Sequence, residues 1–218
     1  KISNFIYASS SSVYGGNTNY PFSENDNVNH PVSLYAATKK SNELIAHTYS
    51  HLFQIPTTGV RFFTVFGPWG RPDMAPFIFT KAIKSKKPIK VFNYGDIYRD
   101  FTYIDDVIDV LFNLLFLPAK PDLNFDKTYP KQSTSWAPFR ILNIGNNQSI
   151  SVLKFISLLE EEIGLKANIK YEPMQPGDVY KTSADTTAID KLIKNRSKTP
   201  LKEGLKKFIE WYNHFYKN

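Results

Sequence analysis

The sequence predicts an α/β fold built on a mostly parallel sheet. Two observations carry this. Short β-branched and aromatic runs alternate with longer stretches of helical periodicity, the pattern of successive strand–helix units. Two of the runs end in loops rich in serine or glycine, at the strand ends where open parallel sheets bind their ligands.

In chain order, residues 4–9 read as a core strand, closed by the loop Ser9-Ser10-Ser11-Ser12-Val13-Tyr14-Gly15-Gly16. Residues 17–32 are polar, contain Pro21 and Pro31, and read as a surface loop. Ser33 is placed to cap a helix running to about Leu52, with Leu34, Ala37, Leu44, Ile45 and Thr48 expected toward the core. Thr57 to Thr64 forms a second strand and Val65 to Pro72 a second strand-end loop. A helix from about Met74 to Ser85 precedes a short strand, Ile89 to Phe92. Arg99 to Asp106 leads into an apolar helix ending near Leu117, expected to be buried. Residues 118–138, with four prolines, form a polar excursion outside the core. Arg140 to Ile144 is a strand, Ser151 caps a helix to about Ile163, and Ile169 to Tyr171 is extended. Helices near Asp185–Lys194 and Leu201–Phe215 finish the chain, and no internal repeat occurs.

The 218 residues suffice for one sizeable domain with a small addition. At 42% hydrophobic and 22% charged the composition is that of a globular protein. No apolar run reaches the roughly 18 residues a membrane span needs. With no cysteine, disulfides and thiolate metal sites are excluded. The net charge of +7 favours anionic partners, but the lysines are dispersed and no nucleic-acid-binding signature accompanies them. A phosphate-bearing small molecule is the better expectation. His47 and His51 are spaced like metal ligands on a helix, yet no third ligand is evident, so no metal site is expected. The abrupt start in a strand leads to the expectation of a fragment.

The chemistry centres on Ser33-Leu34-Tyr35-Ala36-Ala37-Thr38-Lys39. A tyrosine and a lysine four positions apart share a helix face. A free phenol loses its proton only near pH ~10, and bringing that near 7 takes about 4 kcal/mol of differential stabilisation of the phenolate. The ammonium one turn away supplies part of this, and a second positive charge is needed for the rest.

Together SSSSVYG, YAATK, RFFTVFGPWGRPDM, RDFTYIDD and MQPGDV resemble the extended short-chain dehydrogenase/reductase superfamily, and within it the nucleotide-sugar epimerases acting on UDP-glucuronate. The resemblance spans nearly the whole chain, with the motifs in family order. It implies a partial Rossmann-like parallel sheet containing only the later strands, with a small C-terminal α/β substrate-binding region. Residues 1–72 would be the C-terminal half of an NAD-binding domain. Residues 73–218 would mainly bind the nucleotide sugar, returning to the core at about 89–117 and 140–164.

The implied catalytic residues are Ser10, Tyr35 and Lys39, with NAD as cofactor. Tyr35 would take the proton of the sugar 4-hydroxyl and Ser10 would hydrogen-bond the same oxygen. Lys39 would hold the nicotinamide ribose, and Ser9, Phe62, Phe63 and Val65 would line the cofactor. On the substrate side the resemblance implies Ser11, Ser12, Thr64, Arg71 and Asp73 around the sugar, Val91 and Phe92 on uracil, Arg99 on the diphosphate and Asp178 near the ribose. Related dehydratases carry carboxylates in the place of Ser11 and Ser12, and decarboxylases a glutamate, so elimination is not expected here. Oxidation of glucuronate at C4 makes a β-keto acid, and an epimerase must hold its carboxylate out of line for loss of CO2. Arg71 suits that task through bidentate pairing, although pairing with Asp73 is an equal alternative from the residues alone.

The glycine fingerprint GxxGxxG occurs nowhere in the chain. These 218 residues alone are therefore expected to bind NAD+ poorly, which a cofactor titration checks, and residues 4–9 to form an exposed apolar sheet edge. The resemblance also implies a UDP-sugar substrate, homodimerisation through the Tyr35 helix, a cytoplasmic setting and no nucleic-acid or membrane partner. Two alternatives stay open: another sugar specificity among epimerases or decarboxylases, and a non-catalytic UDP-sugar-binding or dimerising remnant.

Overall fold

A computed structural model describes residues 2–216. Strand β1 (Phe5–Ser10), β2 (Thr57–Phe62) and β6 (Phe139–Ile144) form a parallel sheet in the order β1-β2-β6. Ser9 pairs with Arg61 and Ser10 with Phe62, so the Ser10 end of β1 lies beside the end of β2. Central strand β2 is buried from Thr57 to Arg61, as a parallel strand covered on both faces must be. Helix α1 (Leu34–Phe53) covers one face, where Ala46, Ala137, Phe139 and Ile141 pack. Helix α3 (Ile104–Leu115) and the short α5 (Thr187–Leu192) cover the other, against Val60, Leu142 and Ile144.

After Phe63 the chain leaves this sheet. β3 (Thr64–Phe66) pairs in parallel with β5 (Tyr98–Tyr103), and β5 pairs antiparallel with β7 (Ser149–Ser151). β4 (Pro88–Val91) pairs in parallel with β8 (Asn168–Tyr171). These strands share a second core with α2 (Ala75–Lys84), α4 (Val152–Ile163) and α6 (Leu201–Tyr216). Gly204 lets α6 approach closely: a Cβ there would stand 2.7 Å from the Phe66 ring and 2.9 Å from Tyr103. The chain thus returns to the first sheet through α3 and β6, whereas β4 and α4, expected on that core, build the second.

Two expectations about helix burial are corrected, and the exposed edge expected of residues 4–9 is observed. On α1 the buried residues are Ala36, Glu43, Ala46 and Ser50, while Leu34, Leu44, Ile45 and Thr48 face outward. Helix α3 is buried on one side only: Val107, Val110 and Leu114 point in, and Ile108, Phe112, Leu115 and Phe116 are exposed. Strand β1 is an edge among the described strands, its Phe5 44% exposed. Apolar grooves of about 400 and 550 Å³ flank it, one against Ile45 and Tyr49 of α1 and one against Ile108 and Phe112 of α3. Among the described residues no helix is long and apolar enough to cross a membrane.

The 118–138 excursion lies against α1. His47 Nε2 is 2.7 Å from Ser135 Oγ, and the Trp136 indole N–H donates to His51 Nδ1 at 3.0 Å. Burial pushes the His47 imidazole below its ordinary value, with His51 adding to the effect. A base whose folded value is depressed lets the unfolded chain bind more protons, so this contribution is lost as pH falls from about 6.5 through the folded value. Burial raises the Glu24 and Asp100 carboxyls, which acts in the opposite sense. The expected result is therefore comparative: on going from pH 7.5 to 5, His47→Gln loses less thermal stability than wild type, measured by calorimetry.

Candidate functional site

The serine loop after β1 is a 3₁₀ turn, Ser11–Tyr14, with Ser10 as its N-cap. The Ser10 hydroxyl accepts from the Ser12 amide at 3.2 Å and donates to Ser12 Oγ at 3.1 Å, which holds it at the strand end. Gly15 ends the turn at φ +58, where a Cβ would stand 2.2 Å from the His30 carbonyl oxygen, so only glycine lets residues 17–32 cross here.

Ser33 caps α1 by accepting from the Ala36 amide at 3.1 Å, fixing the helix start two residues before Tyr35. The Lys39 ammonium donates to the Ala8 carbonyl at 3.1 Å and lies 5.7 Å from the Tyr35 ring centroid. Lysine is thereby anchored to the final residues of β1, one turn from the phenol, with two further N–H groups available to a ligand. Tyr35 is 53% exposed, and its ring is open to a ligand.

A cavity of about 260 Å³ lies where β3, β4 and β5 meet α2 and α4, and Thr64, Met74, Lys90, Phe92, Arg99 and Asp178 contribute to its wall. Val91 lines it from below and is otherwise core. Arg99 Nη2 donates to Asp178 Oδ1 at 2.5 Å and Arg99 Nη1 to the Tyr98 carbonyl at 2.9 Å. Burial pushes the Arg99 guanidinium below its ordinary value while Asp178 holds it up. A diphosphate would relieve that cost. The cavity therefore offers an apolar and aromatic wall beside a cation, the chemistry of a nucleotide diphosphate site.

Arg71 and Asp73 form an exposed bidentate pair, Nε to Oδ1 at 3.0 Å and Nη2 to Oδ2 at 2.6 Å. Asp73 thus occupies the edge of the guanidinium that a sugar carboxylate would take. Asp73 holds Arg71 above its ordinary value through its hydrogen bonds and its charge.

Two expected cofactor residues are placed differently from the expectation. The Ser9 hydroxyl is turned inward and donates to Glu43 Oε1 at 2.7 Å. Phe63 is buried with Val13, Tyr14 and Phe22. Phe62 and Val65 are partly buried on the α3 side of the sheet. Lys90 lines the cavity without having been expected there. It alternates with buried Ile89 and Val91, which sets its side of β4 but not what that side faces. The sequence does not predict the pairing of Glu43 with Arg61; its one signal is an arginine inside an otherwise uncharged strand. Among the described residues no group of three His, Cys, Asp or Glu side chains is arranged to hold a metal ion.

The residues present fit the nicotinamide end of a dinucleotide: an anchored lysine with donors to spare, a tyrosine one turn away and a capped serine turn, all about the C-terminal end of β1. A glycine-rich pyrophosphate turn is not among the 218 residues.

Known proteins resemble this chain in sequence and fold. The chain is 50% identical over 216 residues to Protein CapI of Staphylococcus aureus, covering 99% of this chain and 65% of that protein. It is 46% identical over 215 residues to UDP-glucuronate 4-epimerase 5 of Arabidopsis thaliana, covering 97% of this chain and 48% of that one. It superposes with a TM-score of 0.84 and 33% identity on a UDP-glucuronic acid 4-epimerase from Bacillus cereus, solved with UDP-glucuronic acid and NAD, over 99% of this chain and 63% of that one. The chain thus spans less than two thirds of the length of these relatives. Residues 1–123 match the Epimerase model, and with the Rossmann-like parallel sheet this shows that the chain belongs to the NAD dependent epimerase/dehydratase family.

Proposed function

We propose that this chain carries the catalytic and sugar-binding part of an NAD-dependent epimerase that inverts C4 of UDP-glucuronate to give UDP-galacturonate. The observation that carries the reading is the gathering of Thr64, Phe92, Arg99 and Asp178 around one cavity. Bound NAD supplies the acceptor and donor for the hydrogen at C4. Tyr35 takes the 4-hydroxyl proton and later returns it, Ser10 hydrogen-bonds that oxygen, and Lys39 favours the phenolate while holding the ribose. Phe62 and Val65 border the nicotinamide. Arg99 takes the diphosphate, Asp178 the ribose, and Phe92 with Val91 the uracil. Ser11, Ser12, Thr64 and Arg71 hold the sugar carboxylate away from the alignment that releases CO2, with Arg71 exchanging Asp73 for the substrate.

The carboxyl-free positions 11 and 12 support epimerisation over elimination. The outward apolar face of α1, with Ile45, Tyr49, Leu52 and Phe53, is assigned to a second copy of the protein. The second reading is an epimerase for a sugar without a carboxylate, favoured by the Asp73 carboxylate already filling Arg71.

The test is proton NMR of UDP-glucuronate incubated with the full-length protein and NAD. Appearance of the small H4 couplings of a galacto sugar is expected; unchanged substrate, or a UDP-pentose, contradicts the reading. Arg71→Ala decides between the two sugars. If Arg71 anchors the carboxylate, kcat/KM for UDP-glucuronate falls about 10- to 100-fold, the scale of losing a charged hydrogen-bonded pair, or CO2 is released. No change favours the uncharged sugar.

A further inference from the structure

Beneath the serine turn lies a buried charged cluster that the proposed reaction does not use. Arg61, on central strand β2, is fully buried, and Glu43 of α1 is 3% exposed. Arg61 Nε donates to Glu43 Oε1 at 2.8 Å and Arg61 Nη2 to Glu43 Oε2 at 2.9 Å. Glu43 Oε1 also accepts from Ser9 Oγ at 2.7 Å, and Oε2 faces Lys40 Nζ at 3.4 Å. One carboxylate therefore ties together α1, β1 and β2. The partners are register neighbours, since Ser9 pairs with Arg61.

The positions decide what such a tie controls. Ser9 immediately precedes Ser10. Glu43 follows Lys39 by four residues and Tyr35 by eight, within about 40° and 80° of them around the helix axis. Anchoring Glu43 thus fixes the rotation and depth of the face that carries the lysine and the phenol. Arg61 reaches the serine turn from its other end as well. Its guanidinium lies 4.9 Å from the ring centroid of Tyr14, the last residue of the turn, and the Tyr14 hydroxyl donates to Asn143 Oδ1 at 2.6 Å. The Asn143 amide in turn donates to Glu24 Oε1 at 2.9 Å.

Apolar packing could hold a helix on a sheet just as firmly, and buried ion pairs often add no net stability over apolar replacements. They differ in being directional. A carboxylate with hydrogen bonds to two strands admits one helix position, whereas an apolar seam tolerates sliding.

We propose that Glu43 and Arg61, with Ser9, are positioning residues that set the placement of Tyr35 and Lys39 relative to Ser10. This rests on the epimerase reading for its kinetic consequence, but the tie itself has a readout independent of turnover. The experiment compares wild type, Ser9→Ala and Glu43→Gln in the full-length protein, by steady-state kinetics and by hydrogen exchange. Ser9→Ala removes one strand of the tie and leaves the ion pair intact, so it decides the matter if Glu43→Gln does not fold.

Misplacement by an ångström costs on the order of 100-fold in rate, so kcat is expected to fall about 10-fold in Ser9→Ala and about 100-fold in Glu43→Gln with KM within about threefold. Amides in segments 8–14 and 34–40 are expected to exchange at least about tenfold faster, while those of α4 and α6 stay protected. Unchanged exchange in those two segments overturns the proposal, as does faster exchange spread equally over α4 and α6, or a kcat unchanged in both variants of an active enzyme. If wild type proves inactive on nucleotide sugars, the functional reading falls separately and the exchange pattern alone decides the tie.

Discussion

Tyr35→Phe in the full-length protein is expected to lower kcat about 10³-fold or more, because the phenolic oxygen is the proposed route for the 4-hydroxyl proton and losing a general base costs about 10² to 10⁴. The ring is 53% exposed, and among the described residues the hydrogen bond recorded for Tyr35 is to its backbone carbonyl. Loss of one exposed hydroxyl falls within about 0.5 kcal/mol, so the melting temperature should move by no more than about 2 °C. KM should change little, since the proposed nucleotide site, the cavity with Arg99 and Phe92, does not include Tyr35 in its wall. Loss of rate with stability and KM preserved is the signature sought. Retention of rate within about threefold removes the phenol from its proposed role.

Arg61→Met has the largest expected effect on stability. Burial works to raise the Glu43 carboxyl, but the Arg61 hydrogen bonds and charge hold it below the ordinary carboxylate range, and the same pairing holds Arg61 above its own. Removing the guanidinium leaves a buried carboxylate with the Ser9 hydroxyl at 2.7 Å and, as a cation, Lys40 at 3.4 Å. Breaking such a pair costs about 3–5 kcal/mol. At about 2–4 °C per kcal/mol for a chain of this size, the melting temperature drops by roughly 6–20 °C. The double variant Arg61→Met with Glu43→Leu removes both charges and should recover a large part of the loss. Equal losses in the single and double variants would contradict the stranded-charge explanation, leaving volume alone as the cause.

The starts of α1 and α4 were legible because Ser33 and Ser151 are N-caps whose hydroxyls accept from the third amide on, a purely local interaction. Strands β2 and β6 were legible from their β-branched and aromatic residues. The face of α1 was not. The usual rule assigns the apolar side inward, and here Leu34, Leu44 and Ile45 point out. The buried side instead carries small residues that let the helix approach β1 and β2, plus a glutamate whose charge is satisfied only by Arg61 and Ser9. Periodicity cannot register a partner eighteen residues away.

The candidate site divides in the same way. Residue types at strand ends, such as Ser10 and Arg71, stand out because loops after parallel strands are where ligands bind. What those groups touch depends on packing at a distance. Asp178 on Arg99 and Lys90 in the cavity wall needed coordinates, and so did the choice of Asp73 as the partner of Arg71, one of two the residues left open. The commitment of Ser9 to Glu43 needed them too, since a run of four serines gives no sign of which one turns inward.

In the proposed reaction the hydrogen at C4 leaves and returns within one site while the carboxylate is kept out of line. UDP-glucuronate deuterated at C4, turned over by the full-length protein in ordinary water, tests this most directly. The product UDP-galacturonate should keep its deuterium at C4, read by NMR and mass spectrometry. Exchange of that label with solvent, or its appearance in a decarboxylated UDP-pentose, would contradict the account.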